Sequence, residues 1–128
     1  MGVGYTMSWD SWDGLRYGGY LAVPLNNEGN RALVQDLPDD QNVLWVAVSP
    51  DECRMLVPLF ELLNRAFRLS IGTSTGEVLY LKDMVDALEL ARTFEREAAG
   101  APATPAAGKA TKALQTALDC GSYVEFDL

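Results

Sequence analysis

A chain of 128 residues is long enough for one domain with a hydrophobic core and no covalent staples, and its 48% apolar and 22% charged content is ordinary for a globular protein. Ten basic against eighteen acidic residues leave a formal charge of −8. That balance argues against nucleic acid or an anionic membrane surface as partner, because both demand clustered Lys/Arg; it leaves a basic partner, or solubility alone, as the reason for the acids.

There is no histidine, which removes Ser-His-Asp and Cys-His nucleophile activation, imidazole acid–base work and almost every zinc site containing His. The two cysteines, Cys53 and Cys120, are too few for a disulfide framework or a four-thiolate metal site, and read as free thiols in a reducing compartment. No apolar run reaches the roughly 18 residues of a membrane span, and no basic region followed by an apolar one opens the sequence. The expectation is a cytoplasmic protein with no catalytic residues, cofactor or metal to name.

In chain order, residues 1–17 form an aromatic-rich segment without a helical or strand period. Within it SWDSWDG (8–14) suggests a calcium loop only superficially, since its acids lie three apart where that loop alternates them. GGYLAVPL (18–25) is a strand, with Pro24 marking an edge position or a strand end. NNEGN (26–30) reads as a turn and RALVQDL (31–37) as the returning strand of a hairpin. After a second turn, PDDQN (38–42), the run VLWVAV (43–48) is the most apolar strand and is expected at the centre of the sheet.

SPDE (49–52) is a capping box: Ser49 caps, Pro50 fits the first helical position, and Glu52 reaches back. The helix it opens runs to about Phe67, with Met55, Leu59, Leu62, Leu63 and Ala66 inward and Glu61 paired to Arg65 outside. Pro58 predicts a kink or a break there. Cys53, beside two anions and with no base to activate it, reads as a buried structural thiol.

RLSIGTST (68–75) is a short strand ending in a turn. GTSTG lacks the lysine and spacing of a phosphate loop, and Ser74 with Glu77 forms a second possible capping box. EVLYL (77–81) is a strand or a helix start, and a helix follows from Asp83 to about Glu97 with Met84, Val85, Leu88 and Ala91 inward. Residues 98–108 are Ala/Pro/Gly-rich and expected to be a flexible loop. KATKALQTALDC (109–120) is a helix stopped by Gly121. SYVEFDL closes as a strand with Val124, Phe126 and Leu128 on one side. The whole is a single α+β domain: a small, mainly antiparallel sheet with two to three helices packed on one face.

Two features bear on function. Between Glu28 and Glu52 lie six acids and one base, so Asp36, Asp39 and Asp40 define an acidic edge suited to a basic groove on another protein. Trp9, Trp12, Tyr17 and Tyr20 are, with Tyr5, five of twelve aromatics placed in the first twenty positions, and Tyr and Trp anchor interfaces. At least one of the two indoles is expected in the core instead. The profile is that of a non-enzymatic inhibitor covering a basic partner such as a toxin or nuclease, as immunity and anti-defence proteins do. The likeness is one of composition, with no shared motif. A small-molecule or regulatory domain with an aromatic-lined pocket is the alternative, and a carboxylate-based enzyme the third.

Overall fold

The computed structural model describes residues 12–72, 76–100 and 104–128. Four strands, β1 (Gly19–Pro24), β2 (Val43–Val48), β3 (Glu77–Leu79) and β4 (Val124–Asp127), form one antiparallel sheet in the order β2-β1-β4-β3. Among the described residues five α-helices accompany it, α1 (Gly14–Tyr17), α2 (Asn27–Val34), α3 (Pro50–Phe67), α4 (Met84–Glu97) and α5 (Thr104–Cys120), with a 3-10 turn at Leu81–Asp83 leading into α4. This is the expected α+β class. Among the described residues no helix is long and apolar enough to cross a membrane.

The inner face of the sheet presents Leu21, Val23, Val46, Val48, Val124 and Phe126 to α3, α4 and α5, and all six are buried. Phe60 of α3 sits at the centre, edge-to-face with both Trp12 (5.8 Å) and Phe126 (5.9 Å). Alternation along β4 places Val124 and Phe126 inward as the sequence implies, with Leu128 half-buried.

The segment 26–37 departs most from its sequence reading. It forms α2 where a turn and a hairpin strand were expected, and α2 lies on the opposite, outer face of the sheet. The turn-like residues serve the helix instead. Asn26 is its N-cap, accepting from the Gly29 N–H at 2.9 Å, and Gly29 lets the helix approach the Asn42 carbonyl, 1.9 Å from where a Cβ would stand. Ala32 and Leu33 then pack with Ala22, Val43 and Trp45 in a second, smaller core.

This explains a second correction. β2 is an edge strand, not the central one; its run is apolar because the main core covers one face and α2 the other. β1 is central, and Pro24 ends it. The Leu25 N–H bond to the Asn42 carbonyl (2.9 Å) sets the ladder phase, so Pro24 turns its nitrogen toward β4, beyond the last β1–β4 pair at Ala22 and Glu125. No donor is missed there.

The capping box forms as read, with Glu52 N–H to Ser49 Oγ at 3.1 Å and Ser49 N–H to Glu52 Oε1 at 2.9 Å. α3 runs unbroken through Pro58, which is exposed and leaves only an outward-facing Arg54 carbonyl without its helical donor. Its inward face is Cys53, Leu56, Leu59, Phe60 and Leu63; Leu62 and Ala66 are exposed, and Glu61 and Arg65 form no ion pair. The buried face is rotated from the expected one toward Leu56 and Phe60, in line with the burial expected of Cys53. In α4, Val85 faces solvent and Ala87 is buried in its stead.

α5 begins at Thr104, so the stretch expected to be a loop as far as 108 is helical from there. Pro105 suits a first turn, and Ala106 and Ala107 are fully buried. Glu77 belongs to a strand, and its carboxylate accepts from the Ser70 N–H, so it caps no helix. Asn64 of α3 grips Ile71 by both main-chain groups, at 2.9 and 3.1 Å.

Candidate functional site

α2 covers only one end of the outer face, and the remainder faces solvent. Because β1 pairs β2 and β4 in fixed register, the side chains pointing to this face can be placed in rows, from those beneath α2 to those in solvent. Tyr20 stands between Ala47 of β2 and Asp127 of β4. In the next row Trp45, Ala22, Glu125 and Val78 run across all four strands. Side chains directly opposed in this way have Cβ atoms about 4.5–5.5 Å apart.

The aromatic side chains are held. Tyr20, 48% exposed, meets Trp45 edge-to-face at 5.9 Å, and the Trp45 Nε1–H donates to the Asp39 carbonyl at 2.9 Å. Tyr123 donates its hydroxyl to Asn30 Oδ1 of α2 at 2.6 Å. Burial pushes the Tyr123 phenol above its ordinary pKa, and Glu125 and Tyr80 push it further, which places all three side chains together. Glu125 is raised above the usual glutamate value, first by burial and then by the like charges of Asp127 and Asp36. Among the described residues no cation acts on it. The outer face thus combines Tyr20, Tyr80, Tyr123 and Trp45 with Asp36, Glu125 and Asp127, while Val34 and Leu37 stand exposed at the same end of α2 as Asp36.

The sequence-derived site residues divide sharply. Asp36 joins this face, in a left-handed conformation (φ 55°) just beyond α2. Tyr20 lies at its middle. Asp39 is structural, because its carboxylate accepts from the Gln41 and Asn42 N–H groups (2.9 and 2.8 Å) and from Asn42 Nδ2 (3.0 Å), which lowers its pKa chiefly through the Asn42 side chain. It organises the turn that carries the carbonyl beneath Gly29. Asp40 is exposed in that same turn. Trp12 is only 4% exposed and belongs to the core, whereas Trp9 lies outside the described residues.

Tyr17, 71% exposed, does not reach the outer face but shares an open cleft with Tyr20. The cleft, about 450 Å³, is also lined by Ala47, Ser49, Glu52 and Lys109. Lys109 of α5 donates to the Ala47 carbonyl (2.9 Å) and to Glu52 Oε1 (2.7 Å), so helix α5 fastens the free edge of β2 to the cap of α3. Burial would raise the Glu52 carboxyl, but the hydrogen bonds from Lys109 and Ser49 prevail and hold it below the usual value.

Glu125, Asp127, Tyr123, Tyr80 and Trp45 escaped the sequence reading of the site. Alternation in residues 122–128 puts Tyr123, Glu125 and Asp127 on the side opposite the core, and this was the available signal. Their meeting with Tyr20 and Asp36 depends on β4 inserting beside β1, which local pattern does not encode.

The buried thiol of Cys53 is raised to about 11 by desolvation and then by Glu52, whereas Cys120 is exposed. Among the described residues no group of three or more acids or cysteines suits a metal ion. No protein-family model, curated protein or solved structure matches the chain, so the geometry of the outer face stands alone as the guide to function.

Proposed function

We propose that the chain is a non-enzymatic protein-binding module, an intracellular inhibitor that covers a basic partner of the toxin or nuclease kind. It would dock through the open part of its outer sheet face. One observation carries the reading: the outer face sets Tyr20, Tyr123 and Trp45, each held by a ring contact or hydrogen bond, beside Asp36, Glu125 and Asp127, and among the described residues none of these carboxylates forms an ion pair. Aromatic side chains supply area at low entropic cost, and the unmatched carboxylates reward a positive surface while rejecting a negative one.

The test compares the wild-type chain with a D36N/E125Q/D127N variant as baits in an extract of the native host, with bound proteins identified and their affinities measured. The reading expects a basic protein bound by the wild type, lost by the variant, and associating more slowly as salt rises. Equal binding by both baits, or a specific partner that is itself acidic, would refute it.

A further inference from the structure

Resting on that reading, we infer that the residue recognised by the outer face is an arginine, whose guanidinium lies over Glu125 and Asp127 against the phenol ring of Tyr20.

The placement follows from the strand registers. Glu125 and Asp127 lie two residues apart on β4 and so share one face; Tyr123 precedes them on that face, and Tyr20 stands directly opposite Asp127 on β1. Tyr20 is held by its edge-to-face contact with Trp45, and Tyr123 by its hydrogen bond to Asn30 at the α2 end. Ala22, opposite Glu125, is fully buried in the small core with Ala32 and Val43 and marks the limit of the open face on that side. The result is a row of two carboxylates on β4 with the Tyr20 ring beside Asp127 at one end and Tyr123 beyond Glu125 at the other.

Either basic side chain would satisfy the charge, but the surroundings favour arginine. Glu125 is half-buried, so a cation reaching it must shed water, and a guanidinium sheds water more readily than an ammonium. A planar fork can bridge two carboxylates while its face rests on a phenol ring; a lysine makes only a point contact. The like charge of Asp36 adds to the field that draws the cation in.

The experiment titrates the full chain with hexa-arginine and, separately, hexalysine at low ionic strength. NMR follows the Tyr20, Tyr123 and Glu125 resonances. An E125Q/D127N variant is compared with D86N/E89Q, which removes the same charge from exposed positions on α4; thermal melts confirm that both fold. The wild type should bind hexa-arginine about tenfold more tightly than hexalysine. That preference should vanish in E125Q/D127N and persist in D86N/E89Q. If the two peptides bind the wild type equally and E125Q/D127N weakens both, the arginine assignment fails and the basic-partner reading survives. If E125Q/D127N weakens binding no more than D86N/E89Q does, the face is not the binding site and both fail.

Discussion

Replacing Gly29 by alanine probes whether α2 is seated as described, and with it the boundary of the outer face. In an ordinary exposed helix this change would gain about 1 kcal/mol of helix propensity. Here the added Cβ would stand 1.9 Å from the Asn42 carbonyl oxygen and 2.9 Å from its carbon, where real Cβ contacts essentially never fall below 3.0 Å. The helix or the turn must therefore yield by about an ångström. The turn is poorly placed to do so, because the same carbonyl accepts from the Leu25 N–H at 2.9 Å and Asp39 pins Asn42 by two bonds. Losing that main-chain bond costs about 1 kcal/mol, and overpacking against backbone roughly 1–3 more. Set against the propensity gain, the net loss is about 2 kcal/mol, or roughly 6–10 °C in Tm for a domain of this size. Thermal denaturation followed by circular dichroism measures the loss, and Trp45 fluorescence reports whether the small core beneath α2 loosens. An alanine variant as stable as the wild type would show that α2 does not rest on this carbonyl.

Asp39→Ala should lower Tm measurably while Asp40→Ala leaves it unchanged, since only the first carboxylate holds the 38–42 turn; equal melts would contradict its structural role. Lys109→Met should cost about 1 kcal/mol at neutral pH in urea unfolding, by removing the link between α5, the β2 edge and Glu52. Because the folded Glu52 carboxyl lies below its ordinary 4.5, its contribution is complete above that pH and fades as pH falls through the lower folded value. The wild type should therefore lose its advantage over Lys109→Met in acid, and a gap that widened on acidification would reverse the sign. A thiol-reactive dye at mildly alkaline pH should label Cys120 quickly and Cys53 only on unfolding, as one thiol is exposed and the other buried with its pKa near 11. Two equally fast thiols would place Cys53 outside the core.

Local chemistry in the sequence was legible where a residue had one physical use. Ser49, Pro50 and Glu52 fit no arrangement better than the cap they form, and Val124 with Phe126 alternates as only a half-buried strand does. Residues with two uses misled. Asn26 and Gly29 suit a tight turn, but equally suit a helix cap and a close helix–strand contact, and only the apolar underside formed by Ala22, Val43 and Trp45 decides between them. β2 looked central for a related reason: its pattern reports how many faces are covered, not how many strands flank it. The candidate site suffered most, because a sheet face is assembled across strands distant in the chain. Asp36 and Tyr20 were visible as an acid and an aromatic in suggestive company. Glu125, Asp127 and Tyr123 became their neighbours only through the β1–β4 pairing.

That pairing also orders events in time. Leu21 faces Phe126 across more than a hundred residues of intervening chain, and β4, the last of the four strands along the sequence, fills the slot between β1 and β3. During synthesis α1 to α5 can all emerge while the middle of the sheet is still a gap with two open inner edges, both able to pair with a foreign strand. Closing the gap joins the most distant contacts in the fold, which makes slow, late consolidation the expected kinetic signature. It also means that the inner face gains Phe126 and the outer face gains Glu125 and Asp127 in a single step, so the completed core and the proposed binding surface appear together.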